Sequence, residues 1–419
     1  MQKNQKEKII ILAPFWSNNK HVGVYRVDRF KRWLDDKYEI VIINSGTENS
    51  IVKRNNITEI FVKDPILIIS NMLLKIGKTK FLKIFYIFWN TLLYYFLPSD
   101  QYYFWAKKIS DDKNVKKVLK NVRFVLSTSP PNSSHIGGYL LSKKYEIPFV
   151  ADFRDGWLDE PLRPIIEKWK WRRRIEGEWE KKVVLQATNI FVTSELWKEK
   201  IDERYKNISN KTTVLTNGYP QIEIEDYFPK INENNVNQAG YDLKLIYTGN
   251  FTVFRKMELL LQPIIKSLKN KTIEISLLGD YRQKDLIEVN QWQKKIEIQK
   301  SNIKVLNRMP RDLMIKELLL NDGLLLLSAS TCAIPSKLFE YIITKKPILA
   351  ITKRDSAVWR LCKSIPQIFL FSYITPTETD YENVKLFLEA CYTSNYDIEI
   401  PHDFTEKNLK QIFIDAAVN

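Results

Sequence analysis

The amino-acid sequence predicts an α/β fold of two doubly wound, Rossmann-like domains that face each other across a cleft. Short apolar runs alternate with amphipathic stretches along most of the 419 residues, a pattern typical of parallel sheets covered by helices. The chain is also longer than one hydrophobic core normally supports. A polar stretch at 220–242, rich in Asn and Glu, interrupts the alternation once and predicts a boundary between the two domains.

The first half of the chain predicts the N-terminal domain. Its apolar runs have the length and composition of buried strands, and the stretches between them have helical periodicity. Strands are expected at 8–13, 38–44, 59–62, 122–127, 149–152, 187–193 and 213–216, and helices at 22–34, 132–144, 163–185 and 195–205. We therefore expect an N-terminal domain at residues 1–220, followed by a linker at 221–242.

The second half of the chain repeats the alternation and predicts a C-terminal domain at 243–400. Strands are expected at 243–248, 273–278, 303–306, 323–327, 348–351 and 367–371, and helices at 257–268, 283–299 and 310–319. A further helix is expected to begin around Pro335, because the fixed φ of proline suits the first helical turn. The last segment, 401–419, is expected to be a helix that packs back on the N-terminal domain.

The composition indicates an anionic partner and a reducing compartment. The formal net charge of +16 favours nucleic acid, an acidic membrane surface or phosphorylated substrates without choosing among them. The three cysteines, Cys332, Cys362 and Cys391, form neither a disulfide framework nor a zinc pattern. The polar N-terminus lacks the apolar centre of a signal peptide. We therefore expect a cytoplasmic protein.

Two stretches of the first half bear on membrane contact. The most hydrophobic one, 81–97, is shorter than the roughly 20 residues of a spanning helix. Aromatic residues on all its faces and flanking lysines favour a helix that contacts lipid over one that is only partly buried on its domain. The sequence WKWRRR at 169–174 favours a solvated helix that faces an anionic membrane or an acceptor. A basic stripe that binds nucleic acid is the less favoured interpretation.

The stretch 328–351 predicts a phosphate-binding loop between a strand and a helix. Ligands of open parallel sheets bind beyond the carboxyl ends of the strands, where helix N-termini favour phosphate. Lys337 could neutralise a phosphate oxygen, and Glu340, one turn later, could hold two ribose hydroxyls. The alternative is that Lys337 and Glu340 form a solvated pair on the helix surface, worth a few tenths of a kcal/mol.

Polar residues follow other predicted strands as well. After the first strand of the second half, Gly249 would allow a diphosphate to approach closely, and the basic pair at 255–256 could bind it. After the first strand of the whole chain, His21 could exchange a proton or bind an anion, and Gly23 permits a turn. Arg26 could hold a phosphate or face solvent there.

A third polar segment is DFRDGW at 152–157. Burying its charged side chains in a hydrophobic core would cost free energy, so we expect the segment at a polar cleft. Asp155 within it is expected either to face this cleft or to pair locally with Arg154. His135, near the start of the preceding helix, is a second polar residue that could be functional or structural.

Taken together, these residues resemble GT-B glycosyltransferases of family 4. The second half is similar in YTGN at 247–250, LLG at 277–279, PSKLFEY at 335–341 and KPILA at 346–350. The first half is similar to the members that build cell-surface polysaccharides in SPP at 129–131, His135, DFRDGW at 152–157 and TNGY at 216–219. The motifs occur in the family's order over most of the chain.

The resemblance implies a retaining, metal-independent transfer of a sugar from a nucleotide-diphosphate donor to a growing glycan, often carried on a lipid. Glu340 matches the second glutamate of the family's Glu-X7-Glu pattern, assigned to the donor ribose. The first glutamate falls at Cys332, which has no carboxylate, and Asn250 stands where the family has an arginine. The residues expected to bind the donor are Gly249, Asn250, Arg255, Lys256, Ser330, Thr331, Pro335, Ser336, Lys337 and Glu340.

The resemblance also implies roles on the acceptor side. Gly23 and Arg26 match the family's first glycine loop and its basic residue, and with His21 they are expected next to the acceptor and the phosphates. Asp155 and His135 are the catalytic candidates, as a base for the acceptor hydroxyl. No metal and no other cofactor is expected, because basic residues would stabilise the leaving diphosphate and the chain has no Asp-X-Asp pattern.

The expected partners are a nucleotide-sugar donor, a glycan or glycolipid acceptor and an anionic membrane surface at the inner face of the cytoplasmic membrane, without nucleic acid. Two other classes stay open. A nucleotide-sugar epimerase or hydrolase on the same fold would give product without an acceptor. It would also need well-placed carboxylates, and Cys332 stands where one of them would be expected. A non-catalytic, basic peripheral membrane or nucleic-acid protein would be supported only by the charge.

Overall fold

Each half of the chain folds around a sheet whose central strands are apolar throughout. The computed structural model describes residues 6–16, 23–54, 57–76, 88–89, 91–93, 95–159, 169–219, 240–268, 271–298, 300–393 and 399–418. The chain divides into two compact units, the first at 1–215 with 410–419 and the second at 216–409. The predicted fold class is confirmed, because each unit is an α/β domain built on a parallel sheet.

The first unit contains an eight-stranded sheet. Its strands are β1 Lys8–Leu12, β2 Glu39–Gly46, β3 Ser50–Arg54, β4 Ile57–Lys63, β5 Val122–Ser129, β6 Phe149–Phe153, β7 Asn189–Val192 and β8 Thr212–Val214. They are ordered β3-β4-β2-β1-β5-β6-β7-β8, and only the edge pair of β3 and β4 is antiparallel. The direction of the strand order changes between β1 and β5. All five residues of β1 are buried, as expected for a parallel strand covered on both faces.

In the part of the chain up to residue 215 that the structure describes, helices connect these strands. They are α1 Gly23–Leu34, α2 Pro65–Ile76, α3 Tyr103–Ile109, α4 Lys113–Val118, α5 Ser133–Tyr145, α6 Lys170–Gln186 and α7 Glu195–Arg204. Asp112 caps α4 and Ser194 caps α7 by accepting hydrogen bonds from first-turn amides. Trp105 of α3 is fully buried and donates from its indole N–H to the carbonyl oxygen of Asn44 at 2.9 Å, which fixes α3 against the end of β2.

The second unit contains a six-stranded, wholly parallel sheet. Its strands are β9 Leu243–Thr248, β10 Ile273–Gly279, β11 Asn302–Asn307, β12 Gly323–Leu327, β13 Ile348–Thr352 and β14 Ile368–Ser372. Their order is β11-β10-β9-β12-β13-β14, so the strand order reverses between β9 and β12, where open α/β sheets bind ligands. The helices are α8 Met257–Ser267, α9 Gln283–Glu297, α10 Arg311–Leu319, α11 Ser336–Ile342, α12 Ala357–Cys362 and α13 Glu378–Ala390.

The last helix, α14 Glu406–Ala417, returns the chain to the first unit from residue 410 onward. The ring of Phe413 is fully buried. Its centroid lies 5.0 Å from that of Phe30 and 5.2 Å from that of Phe191. Because helix α1 and strand β7 supply these two rings, α14 packs on both of those elements of the first unit.

Several observed elements differ from the expected ones. The edge strand β3 was not predicted, because its residues are mostly exposed and carry no buried stripe. The final strand of the first unit ends at Val214, two residues earlier than expected. Residues 163–168, the larger part of the expected linker at 221–242 and most of the hydrophobic stretch 81–97 lie outside the described residues.

Candidate active site

The carboxyl edge of the second sheet carries a glycine where the strand order reverses. Gly249 follows β9 directly and has φ +133°, a conformation that L side chains rarely adopt. A Cβ atom placed there would lie 3.2 Å from Lys337 Nζ and 3.3 Å from the hydroxyl oxygen of Tyr247. Gly249 therefore keeps the narrow space between these two polar side-chain atoms free of a side chain, and its role in the close approach of a ligand stays a prediction.

Lys337, in the first turn of α11, points back to this space. Its ammonium group donates to the carbonyl oxygen of Thr248 at 2.7 Å and lies 4.4 Å from the ring centroid of Tyr247. Burial, and then the nearby charge of Arg255, lowers the pKa of Lys337 to about 7, while Glu340 opposes this shift. Within the part of the chain that the structure describes, Lys337 forms no ion pair.

Arg255 supplies the second positive charge at this edge. Its backbone is fixed by the turn that begins at Thr252, whose hydroxyl accepts from the Arg255 N–H at 3.1 Å. The Nε atom of Arg255 is buried and has no hydrogen-bond partner among the described residues. Lys256, the neighbouring candidate, is exposed at the N-cap of α8. Of the two residues that the sequence left open, Arg255 is therefore the one whose charge reaches Lys337.

Glu340 lies one turn beyond Lys337 on α11 and is bound by an arginine from another helix. Its Oε1 atom is 2.6 Å from the guanidinium of Arg311, the first residue of α10, and only 13% of the Glu340 side chain is exposed. Burial raises the pKa of Glu340, and Arg311 opposes that shift. The alternative of a solvated pair between Lys337 and Glu340 is wrong, because both side chains are held by other groups.

The loop between β12 and α11 is fixed by its own polar groups. The Ser330 hydroxyl accepts from the backbone N–H of Ala333 at 3.0 Å, and the carbonyl oxygen of Thr331 accepts from that of Ala357 at 2.7 Å. Cys332 is buried. Pro335 stands at the N-cap with ψ 136°, just before the helix and not in its first turn as expected, and Ser336 is the exposed first helical residue.

The side chain of Asn250 contacts the end of the neighbouring strand. Its side-chain oxygen accepts a hydrogen bond from the backbone N–H of Asp280 at 2.8 Å, which joins the ends of β9 and β10. A Cβ atom on Gly279 would lie 2.6 Å from the carbonyl oxygen of Gly249, so the two strand ends approach closely. The Asn250 side chain therefore helps to hold the sheet edge together through its oxygen, and its assignment to the donor stays a prediction.

In the first unit, Arg26 is buried and not exposed to solvent. Its guanidinium donates to both carboxylate oxygens of Asp152, at 2.7 and 3.2 Å, and to the carbonyl oxygen of Leu215 at 2.9 Å. Asp152 is fully buried and also accepts from the Thr128 hydroxyl at 2.7 Å. The solvent-facing alternative is thus wrong. The assignment of Arg26 to phosphate stays a prediction, which this pair disfavours because it already compensates the charge.

His135 occupies an enclosed position on α5. Its Nδ1 atom is 2.6 Å from the Ser127 hydroxyl oxygen, and its ring centroid is 4.2 Å from that of Phe153. The side chain is fully buried, and burial lowers the pKa of His135 to about 3. The ring is therefore neutral, and its role as a base stays a prediction that would require the site to open.

Asp155 is more accessible than His135. It is half-buried, and burial raises the pKa of its carboxyl group while Arg154 opposes that shift. The Arg154 side chain itself donates to the carbonyl oxygens of Ser129 and Pro130, at 3.0 and 2.7 Å. A raised pKa and partial exposure suit a group that exchanges protons, so Asp155 is the better placed of the two catalytic candidates.

The segment 152–157 was expected to line a polar cleft. Part of it does not, because it is buried in the domain. Trp157 is fully buried, and its indole N–H donates to Glu176 at 2.8 Å. At the start of the same domain's α1, Gly23 is the first, buried residue of the helix, whereas His21 lies outside the described residues.

The WKWRRR stretch is only partly solvated. Arg172 is buried, lies 2.6 Å from Glu176, and donates to the carbonyl oxygens of Tyr95 and Ser99 at 2.9 and 3.2 Å. Trp171 is 40% exposed, and Arg173 and Arg174 face solvent. The expectation of a wholly solvated helix is therefore wrong for Arg172, which needs this buried carboxylate and these carbonyls to compensate its charge.

Two residues of the candidate site, Arg311 and Tyr247, could not be assigned to it from the sequence. Arg311 follows a proline after β11 and resembles any helix-start residue, and Tyr247 resembles an ordinary core residue of a strand. Neither has a local signal, because each is placed by contact with α11. Among the described residues, no group of three or more side chains could hold a metal ion.

No family model matches this chain, and no curated protein matches it. Solved structures do match its fold. Anabaena Alr3699/HepE in complex with UDP and glucose has a TM-score of 0.60 at 11% identity, over 98% of both chains. A glycosyltransferase from Rickettsia africae ESF-5 has 0.57 at 15%, over 99% of both. UDP-N-acetylglucosamine 2-epimerase from Rickettsia bellii has 0.52 at 12%, over 98% of this chain and 96% of that one. The chain thus shares the GT-B fold.

Proposed function

We propose that this protein is a glycosyltransferase that moves a sugar from a nucleotide-diphosphate donor to an acceptor. One observation carries the proposal. Lys337 lies beside Gly249, Arg255 is close enough to lower the pKa of Lys337, and neither cation has an ion-pair partner in the described residues. Both belong to the edge where parallel sheets bind ligands. Two neighbouring cations repel each other, so the arrangement is stabilised by an anion between them.

The donor diphosphate is the anion that suits this site. Its oxygens would accept from Lys337 and Arg255, which places the nucleoside toward Glu340 one helical turn away. Arg311 binds Oε1 of Glu340 and leaves Oε2 for a ribose hydroxyl. Similarity of fold to proteins whose structures contain UDP, or UDP and glucose, supports a nucleotide sugar as the donor.

The chemical step would be stabilised mainly by charge. As the bond between the sugar C1 atom and the diphosphate oxygen breaks, negative charge grows on the diphosphate. Lys337 and Arg255 would stabilise this charge, and one such preorganised group is typically worth about 10² to 10³ in rate. The acceptor oxygen then bonds to C1 and its proton passes to a base, for which Asp155 is the candidate. This step needs no metal, and we propose retention of configuration at C1, with the acceptor oxygen approaching the face of C1 that the diphosphate leaves.

For the acceptor we propose a lipid-linked glycan of the cell surface, at the inner face of the cytoplasmic membrane. Large side chains of the first unit are exposed at 88–96 and on α6, among them Phe96, which is 58% exposed, and Trp171. Arg172 joins these two segments through its hydrogen bonds to Tyr95 and Ser99. Exposed aromatic rings beside Arg173 and Arg174 suit the headgroup layer of an anionic membrane. No helix in the described part of the chain meets the length and hydropathy needed to cross a membrane.

The first test is thermal stabilisation of the purified protein by UDP, GDP, CDP and dTDP, because a ligand that binds only the folded state raises its melting temperature. We expect one nucleotide to raise it, and the shift to disappear in Lys337→Ala and in Glu340→Ala. Lys256→Ala is the matched control, since Lys256 is exposed and its loss should leave the shift intact. A protein that responds to no nucleotide would contradict the proposal.

A second candidate function is a nucleotide-sugar epimerase or hydrolase, which the similarity in fold to the Rickettsia bellii epimerase supports. Incubation with nucleotide sugars separates the two functions. A transferase releases nucleoside diphosphate only when membrane glycolipid is added, whereas an epimerase or hydrolase turns the donor over without it. Flotation with vesicles rich in phosphatidylglycerol tests membrane contact, which Phe96→Ser with Trp171→Ser should weaken.

A further inference from the structure

Tyr247 has a buried hydroxyl group that no described residue binds. The side chain is fully buried in β9, and its hydroxyl has no hydrogen-bond partner among the described residues. Buried polar side-chain groups nearly always have such a partner, and an exception calls for an explanation. An unpaired hydroxyl in a packed domain destabilises the free protein, so this one is expected to have a partner in another state.

The other tyrosines at this edge differ from Tyr247. The Tyr341 hydroxyl bonds to the backbone N–H and the side-chain oxygen of Thr248, at 3.0 and 2.8 Å. The Tyr281 hydroxyl donates to the carbonyl oxygen of Gly249 at 3.0 Å. Tyrosines in the same packing environment are thus satisfied, which leaves the unpaired hydroxyl of Tyr247 without an explanation in the fold itself.

The position of this hydroxyl group explains it. The hydroxyl oxygen lies within 3.3 Å of the point that a Cβ of Gly249 would occupy, and Lys337 Nζ lies within 3.2 Å of the same point. The ring is held by stacking on Phe251, with centroids 5.1 Å apart and planes 18° apart. The unpaired hydroxyl donor and a lysine therefore lie next to the same glycine, which suits an anion that accepts hydrogen bonds from both.

We propose that the Tyr247 hydroxyl donates a hydrogen bond to a diphosphate oxygen of the donor. This inference rests on the proposed function and adds a residue to its site. The side-chain oxygen of Asn250 accepts from the backbone N–H of Asp280, so that oxygen is engaged in joining the strand ends. Burial raises the pKa of Tyr247 to about 12, so the hydroxyl keeps its proton and can donate it at neutral pH.

The test is Tyr247→Phe, which removes the hydroxyl and keeps the ring, its stacking and its contact with Lys337. Calorimetry with the nucleoside diphosphate that stabilises the wild type, chosen from UDP, GDP, CDP and dTDP, should show about a tenfold loss of affinity, or about 1.4 kcal/mol. The melting temperature of the free variant should be unchanged or higher, because an unpaired buried group is removed.

Tyr341→Phe is the matched control for stability. It removes a buried hydroxyl that is hydrogen-bonded, so its free protein should melt at a lower temperature than the wild type. Unchanged affinity in Tyr247→Phe, or a melting temperature lowered as in Tyr341→Phe, would overturn the role of Tyr247 and leave the proposed function standing. Failure of the wild type to bind any of the four nucleotides would overturn both.

Discussion

The binding of a nucleotide sugar is expected to weaken as the pH rises, because Lys337 must be charged to hold the diphosphate. In the free protein, burial and Arg255 lower the pKa of Lys337 to about 7. A bound diphosphate stabilises the ammonium form and restores a high pKa. At about two pH units above the free pKa only about 1% of the free protein carries this charge, so affinity should fall up to about 100-fold, or about 2.7 kcal/mol.

Calorimetry between about pH 6 and pH 9 measures this effect. A nucleotide sugar is the ligand of choice, because its doubly esterified diphosphate keeps a constant charge over this range. Titrations in two buffers with different ionisation enthalpies give the number of protons taken up, which should approach one in the alkaline half. Lys337→Arg is the matched control, because arginine stays charged throughout and should give a nearly flat profile.

The stability of the free protein should change in the opposite direction. The pKa of Lys337 is lower in the folded protein than in the unfolded chain, so the unfolded chain binds more protons above about pH 7. The contribution of Lys337 to the free energy of unfolding therefore rises with pH between about 7 and 10. A wild-type affinity that is flat with pH, or that falls equally in Lys337→Arg, would refute the assignment of this lysine.

Three further changes test other parts of the structure. Arg26→Ala should lower the free energy of unfolding in urea by about 3–5 kcal/mol, because it leaves Asp152 buried without its partner. Combining Arg26→Met with Asp152→Asn should recover part of this loss. A single variant as stable as the wild type would mean that the pair does not stabilise the fold. Gly249→Ala should abolish measurable nucleotide binding, because the φ of +133° and the contact with Lys337 both disfavour a Cβ at this position. Circular dichroism should show that the domain is still folded. Unaltered binding would mean that the ligand binds elsewhere. Phe413→Ala should cost about 3–5 kcal/mol of stability in the same urea assay, and a cost below about 1 kcal/mol would show that α14 packs loosely.

The sheets could be predicted from the sequence because parallel strands are buried on both faces and therefore consist of continuous apolar runs. The run at Gly323–Leu327 was expected from this property alone, and all five of its residues are buried. The antiparallel edge strand Ser50–Arg54 has no such run. It is held by pairing with its neighbour, which no local pattern reveals.

The candidate site could be predicted only in part. Gly249, Lys337 and Glu340 lie at strand ends and helix starts, which the alternation of elements locates. Their partners could not be predicted, because tertiary contacts choose them. Arg311 binds Glu340 from another helix. Arg26 likewise pairs with Asp152, a residue 126 positions further along the chain. Because this pair has no local pattern, the sequence predicted only that Arg26 faces solvent or binds a ligand.

A crystal structure of the protein with the nucleoside diphosphate that stabilises it would show directly where the donor binds. We expect the phosphates to lie beside Gly249, within hydrogen-bonding distance of Lys337 Nζ and the Arg255 guanidinium, and the ribose hydroxyls to contact Glu340. A nucleotide bound at another edge, or bound here with its phosphates away from both cations, would contradict the proposed donor site.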